Sequence, residues 1–255
     1  MKHRFYLFLI LFAFSTTGFA QTLIEVKVET VGPVGLAPLI AGFSDGSFDI
    51  FDVGSPASAA LEDLAETGSP DGFSPPNGGP VLGPGVGPGS PPIFAPGAMA
   101  SAQFNVDDGN GMFVFAAMLL PSNDWFIGSG SALDVSSLLN APLGTSLTFD
   151  ASTVYDAGTE LEDFDASAGN GLVGVTNPGD GGPNVGTDQG GVVSMVGGPD
   201  PFAAFANLEP PTLDTTAFDF TGGNIARITL TTVPEPSTAL LFLLGLIPLA
   251  RRSRR

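Results

Sequence analysis

From Leu23 to Val31 the side chains alternate, with Ile24, Val26, Val28 and Thr30 set against Leu23, Glu25, Lys27 and Glu29. A period of two marks a strand with one buried face. Short apolar runs broken by turn residues then continue along the chain. Pro38 to Phe43 and Phe48 to Val53 are read as short strand or extended segments, and Ala100 to Val106 and Met112 to Leu120 as longer strands. Asp107-Asp108-Gly109-Asn110-Gly111 lies between those last two and predicts a hairpin. Trp125 to Ile127, Ser146 to Phe149, Gly191 to Val196, Ala217 to Phe220 and Ile225 to Thr232 complete the set. A helix is predicted from Ser55 to Glu66, with Ser55 as N-cap, Pro56 in the first turn, Gly68 past the end and an apolar stripe of Ala57, Ala60, Leu61, Leu64 and Ala65. Residues 67–97 and 170–190 are rich in glycine, the first also in proline, and are read as long loops with no packed element. The pattern implies an all-β antiparallel sandwich or barrel with one short helix. A single domain over residues 21–232 is expected, with its first and last strands as neighbours.

Both ends read as targeting segments. Lys2 and Arg4 precede an apolar run from Phe5 to Phe14, and Gly18-Phe19-Ala20 supplies the small residues of a cleavage site. Residues 1–20 are therefore expected to be a secretory signal peptide. At the other end Pro234-Glu235-Pro236 leads into an apolar stretch, Ala239 to Ala250, closed by Arg251, Arg252, Arg254 and Arg255. That stretch is shorter than the roughly 20 residues of an ordinary spanning helix, and the arginines would hold it with the preceding chain outside. The triplet, short apolar helix and terminal arginine cluster, residues 233–255, resemble a PEP-CTERM sorting signal. The resemblance implies a Gram-negative bacterium, transient anchoring in the inner membrane, and processing near the triplet by an exosortase. The protein would then reside at the cell surface or in the extracellular matrix.

With both ends set aside the charge becomes one-sided. Of eight Lys and Arg only Lys27 and Arg227 remain, whereas 25 of the 26 Asp and Glu lie between residues 21 and 233, a formal net charge of −23. Such a surface repels nucleic acid and anionic lipid. The only histidine is His3 and there is no cysteine. A Ser-His-Asp triad, a thiol nucleophile, an imidazole zinc site and a disulfide are thereby excluded from the mature chain. The remaining chemistry is that of carboxylates, which point to a hard oxygen-seeking cation such as calcium when a fold gathers them.

Two turn-forming stretches hold the carboxylates of interest. Pro121-Ser122-Asn123-Asp124-Trp125-Phe126-Ile127-Gly128 contains Asp124, and Tyr155-Asp156-Ala157-Gly158-Thr159-Glu160 contains Asp156 and Glu160. Calcium takes about six to eight oxygens, so three carboxylates with loop carbonyls and water would complete a shell. Gly158 permits the tight turn that would bring Asp156 and Glu160 to one ion. Trp125 and Tyr155 are read as packing that steadies the two loops. The competing reading is that these acids are solvated loop residues, as so acidic a chain must have. Glu162, Asp163 and Asp165 are read as a solvated charge run, and Asp107-Asp108 as turn chemistry.

These blocks, together with Gly46-Ser47-Phe48-Asp49-Ile50-Phe51-Asp52-Val53-Gly54-Ser55-Pro56-Ala57-Ser58 and the closing Asn224-Ile225-Ala226-Arg227-Ile228-Thr229-Leu230, resemble the bacterial form of the spondin domain. They occur in the family's order across most of residues 22–232. The resemblance implies a C2-like antiparallel β-sandwich, as in the extracellular matrix proteins F-spondin and mindin. It also implies a calcium ion held at the positions of Asp124, Asp156 and Glu160, the last standing where the animal proteins have Asp. An exported calcium-binding module in adhesion or the extracellular polymeric matrix is the function expected, with extracellular polysaccharide or other surface proteins as its partners. Two alternatives are an acidic structural matrix protein without a specific metal site and a carboxylate-dependent glycan-active enzyme. The second lacks an aromatic-rich cleft, with one Trp and two Tyr in the whole chain. A non-enzymatic role is expected.

Overall fold

A computed structural model describes residues 21–32, 34–120, 122–161, 188–196 and 224–235. The predicted signal peptide, the strand expected at Ala217 to Phe220, most of the 170–190 loop, the 162–165 charge run, Pro236 and the apolar tail lie outside them.

The described strands form two antiparallel sheets. Strands β1 (Gln21–Thr30), β5 (Met99–Asp107), β9 (Ser146–Ala151) and β12 (Ala226–Thr232) make the first, in the order β5-β1-β12-β9. Its central pair joins the first strand to the last, with Ile24 opposite Thr232 and Thr30 opposite Ala226, as the alternation of both segments suggested. The second sheet runs β11 (Ser194–Met195), β10 (Val154–Asp156), β7 (Trp125–Gly128), β6 (Met112–Leu120), β3 (Leu39–Ser44) and β4 (Asn77–Val81). Two short strands, β2 (Gly35–Leu36) and β8 (Leu133–Asp134), pair with the two ends of β6. The all-β antiparallel sandwich is thus observed.

Side-chain alternation builds the core. Ile24, Val26 and Val28 of β1 and Ile228 and Leu230 of β12 point inward, onto Phe43 of β3, Phe113, Phe115, Ala117 and Leu119 of β6, and Trp125 and Ile127 of β7. Strand β6 is buried on both faces, because Val114 and Ala116 meet a second apolar layer outside the sheet. That layer comes from the helix α1 (Ala59–Thr67), through Leu61, Leu64 and Ala65, and from Ile50 and Phe51. Each such leucine contributes about 1.5–3 kcal/mol on burial. Burial on both faces explains why Met112 to Leu120 reads as an unbroken apolar run.

Four expectations need correction. The helix begins at Ala59 and not Pro56, because Ser58 is the N-cap: its hydroxyl accepts from the Leu61 N–H at 3.2 Å. The expected end holds, with Gly68 left-handed at φ 74° and its N–H on the Leu64 carbonyl. Residues 48–53 form no strand. Ser44 takes the N–H groups of Gly46 and Phe48, Asp45 that of Ser47 and Asp49 that of Ile50, so side chains satisfy the backbone in place of a ladder.

The stretch 67–97 is packed where a bare loop was expected. It supplies β4, an edge strand beside β3 that tolerates Pro80 because one side of it has no ladder to complete. It also supplies the fully buried Phe94, which exchanges two backbone hydrogen bonds with Leu36. Finally, β5 and β6 are not a hairpin. The former pairs with β1 and the latter with β3 and β7, so residues 108–111 turn a corner from one sheet to the other. Asn77 fixes that corner, its Oδ1 accepting from the Asp107 N–H at 3.1 Å and from Asn110 Nδ2 at 2.6 Å.

This topology gives the sandwich two poles. Gln21 pairs with Asp107 at the pole where the chain enters, and β6 begins there, just after the corner. β6 ends at Leu120, opposite Gly35, which follows the far end of β1. The turn that carries Asp124 therefore lies at the pole opposite the chain's entry.

Candidate metal centre

The turn from β6 to β7 is held by Ser122. Its N–H and its hydroxyl both donate to the Leu119 carbonyl, and its Oγ accepts from the Trp125 N–H at 3.0 Å. Beyond the turn, Trp125 is buried in the inner core and Phe126 in the outer layer. Two large side chains on opposite faces thus anchor β7 directly after Asp124. Strand β10 runs alongside, with Asp156 opposite Trp125 and Tyr155 opposite Phe126. Tyr155 is buried, stacks on Phe126 at 5.5 Å and meets Phe51 edge-on at 4.7 Å. Burial pushes its hydroxyl above the ordinary value of 10.0. Both aromatic residues take the packing role expected of them.

Past Asp156 the chain wraps around Asp124. The Ala157 N–H donates to the Asp124 carbonyl at 3.1 Å. Asp124 Oδ2 then accepts from the Thr159 N–H at 3.0 Å, the Glu160 N–H at 3.1 Å and the Thr159 hydroxyl at 3.4 Å. Gly158, at φ 70°, makes the wrap possible; a side chain there would meet the Val192 backbone at 2.7 Å. Segment 188–193 closes over the outside, through Gly191 N–H to the Gly158 carbonyl and Gln189 N–H to the Thr159 carbonyl, both 2.7 Å, and a bridge between Glu160 and Asp188.

The three carboxylates are not equivalent. Asp124 is fully buried and Glu160 is 2% exposed, both at the junction of the two loops. Asp156 is only partly buried, and its Oδ1 is turned onto its own loop, accepting from the Gly158 N–H at 2.6 Å. Among the described residues no three Asp, Glu, His or Cys side chains gather as a metal-ligand set. The structure brings together the Asp124 side chain and the Glu160 backbone and sets the Asp156 carboxylate to one side.

Burial of ionised carboxylates costs several kcal/mol per charge unless it is offset. Backbone N–H groups offset part of that cost at Asp124. The domain's own basic side chains do not, since Lys27 pairs with Glu29 at 3.6 Å and Arg227 with Asp150 at 2.9 Å, on strands of the first sheet. Carboxylate oxygens are the donors a hard divalent cation prefers, and of the three only Asp124 and Glu160 are deeply placed. Asp124, Glu160 and, by a turn of its side chain, Asp156 are the residues that could hold it.

Sequence reasoning missed two residues of this pole. Thr159 offers both its N–H and its hydroxyl to Asp124. Asn123, beside Asp124, donates its amide N–H to the Leu161 carbonyl at 2.8 Å and so ties the first loop to the end of the second. Each lies inside a block already singled out, but as a neutral residue between acids it carries no charge signal.

At the opposite end of the domain the Val233 N–H donates to the Leu23 carbonyl at 2.9 Å, extending the β1–β12 pairing past β12. Pro234 and Glu235 follow and are exposed. No helix among the described residues is long and apolar enough to cross a membrane. Compared with known protein families the chain matches none, and no curated protein matches it.

Proposed function

We propose that this chain is an exported, calcium-binding β-sandwich module of the spondin type that acts in adhesion or in the extracellular polymeric matrix. The observation that carries this reading is the burial of Asp124 and Glu160 in a domain of net charge −23 whose two bases are engaged elsewhere. On this reading Ca2+ is the ion and Asp124, Glu160 and Asp156 are its protein ligands, carboxylate oxygens being the donors calcium takes. The leader, the exposed Pro234-Glu235 and the tail that follows support export and exosortase processing near Pro236. The fold supports a module that presents a loop pole to a polysaccharide or another surface protein. A non-enzymatic role is part of this reading.

Titration of the chain from Gln21 onward with CaCl2, followed by calorimetry and by fluorescence of Trp125 beside Asp124, tests the metal site. Saturable binding that also raises the unfolding midpoint is expected, by about 2.7 kcal/mol at a free-ion concentration a hundred times Kd. A flat titration overturns the reading. It would support instead an acidic matrix spacer without a specific site, which is favoured by the absence of a three-carboxylate group among the described residues.

A further inference from the structure

Two Asn-Gly pairs, Asn77-Gly78 and Asn110-Gly111, are distant in the chain and meet at the corner between β5 and β6. The Asp107 N–H donates to Asn77 Oδ1 at 3.1 Å. A backbone N–H can only donate, so this bond fixes which end of the Asn77 amide is oxygen. Asn110 must then present its nitrogen to that oxygen, and its Nδ2 does so at 2.6 Å. Asn77 Nδ2 completes the clasp on Asp107 Oδ2 at 3.3 Å. Packing also dictates the residue after Asn110. A Cβ on Gly111 would lie 2.8 Å from the Ser136 Cβ, and the Gly111 carbonyl takes the Val135 N–H at 2.8 Å. The close fit of the corner on residues 135–136 thus requires glycine after asparagine. Glycine is the neighbour that least shields its own backbone nitrogen from the asparagine side chain.

We propose that Asn110 is a site of spontaneous deamidation and that Asn77 holds it in check. The reaction needs only water. The Gly111 nitrogen attacks Asn110 Cγ and a cyclic imide closes; the Cγ–Nδ2 bond breaks, and Nδ2 leaves as ammonia with the proton from Gly111. Water then opens the ring at either carbonyl. The product is aspartate or, with the main chain routed through the side chain, isoaspartate. The leaving nitrogen is the atom that donates to Asn77 Oδ1, so the closed clasp opposes the step. Afterwards a carboxylate stands where that donor stood, against the Asn77 oxygen and in a turn that already carries Asp107 and Asp108, and the clasp cannot re-form. Asn77 is the less reactive of the two. Gly78 sits in the β3–β4 ladder opposite Gly42, which holds its backbone, whereas Asn110 and Gly111 belong to no strand. The corner where the chain passes from one sheet to the other is thereby a place where age loosens the domain irreversibly. The inference is independent of the metal reading, which concerns the opposite pole.

The test holds wild type, Asn77→Ala and Asn77→Asp in warm, mildly alkaline buffer, with and without denaturant. Conversion at each asparagine is followed by peptide mapping and mass spectrometry. In folded wild type Asn110 is expected to convert about 10-fold or more slowly than in denaturant, because the step waits on local opening, and Asn77 more slowly than Asn110. Asn77→Ala should speed Asn110 by about 3–10-fold, the weight of one lost hydrogen bond. Asn77→Asp, which keeps an oxygen for Nδ2 to reach, should stay near wild type. Denaturant midpoints taken in the same buffer keep an unfolded variant out of the comparison. A second arm needs no change at Asn77: Asn110→Asp, the aspartate product, should unfold at lower denaturant than Asn110→Ala, which loses the donor without gaining the charge. Equal rates at Asn110 in folded and denatured wild type would overturn the proposal. So would an unchanged rate in folded Asn77→Ala, or an Asn110→Asp protein as stable as wild type.

Discussion

The outer face of the first sheet and the far pole of the second treat charge in opposite ways. On the first sheet three cross-strand rows, Met99-Glu29-Arg227-Asp150, Ser101-Lys27-Thr229-Thr148 and Gln103-Glu25-Thr231-Ser146, place every charge at least partly in solvent. Hydroxyls separate the charges, as in the contact between Ser101 and Glu25 at 2.9 Å. Exposed pairs of this kind are worth about 0–1 kcal/mol. At the far pole Asp124 and Glu160 are withdrawn from water, where each charge costs several kcal/mol to hold. The only two bases between residues 21 and 233, Lys27 and Arg227, thus stand where they matter least to stability. At the far pole backbone N–H groups of Thr159 and Glu160 reach the Asp124 carboxylate, while both bases lie on the other sheet.

Substitutions can break or sharpen that contrast. The largest effect is expected at Asp124→Ala, which deprives the N–H groups of Thr159 and Glu160 of their acceptor in a buried loop. At about 1–3 kcal/mol per orphaned group, denaturant unfolding should show a loss of about 2–6 kcal/mol, and calcium should no longer raise the midpoint. A loss below about 0.5 kcal/mol, the size of an ordinary surface change, would put the two regions on the same footing.

An intermediate effect belongs to Tyr155. Its folded-state value is raised above 10.0 because burial disfavours the phenolate. The folded protein therefore keeps its proton when the unfolded chain has begun to lose it. The Tyr155 contribution is whole below pH 10 and is lost as pH rises through the interval above it. Tyr155 is the only tyrosine after residue 20, so in a chain that starts at Gln21 absorbance at the phenolate band reports it alone. Tyr155→Phe should flatten the decline in stability above pH 10; an unchanged slope would show that this hydroxyl is not effectively buried.

The smallest effect is expected at Arg227→Ala, which removes the 2.9 Å pair with Asp150. A change within about 1 kcal/mol, shrinking further in high salt, is the outcome for a solvated pair. A loss above about 2 kcal/mol would mean that the first sheet depends on its charges after all.

The sequence discloses one of these regions better than the other. Strand β1 is legible because its outer face is wet, so its residues alternate. Strand β6 is legible as a strand, but its neighbours are not. Asp-Gly and Asn-Gly report a local reversal and carry no information on which sheet receives the next strand. The contrast between the alternating β5 and the unbroken apolar β6 did hold that information, since strands in one hairpin share their burial on each face. Strand β4 left no trace, as Gly78-Gly79-Pro80 offers no side-chain pattern and its pairing is entirely backbone. Strand β10 was hidden because Asp156-Ala157-Gly158 reads as a turn, and its pairing with β7 is set by the aromatic contact of Tyr155 on Phe126. At the far pole Asp124 could be picked from its block, but its burial could not. Depth depends on segment 188–193 folding across the loop, a contact between residues distant in the chain.

The hydrogen bond from Val233 to Leu23 has a mechanical consequence. Hydrogen bonds in an antiparallel ladder lie perpendicular to the strands. Tension applied between the two ends of the domain, which meet at one corner, would peel β1 from β12 one residue pair at a time. Tension applied between the far pole and a tether at Val233 pulls instead along β12, which has β1 on one side and β9 on the other. Both ladders are then loaded in shear, and all their bonds resist together. A domain held by its tail and gripped at its loops is pulled in its stronger direction.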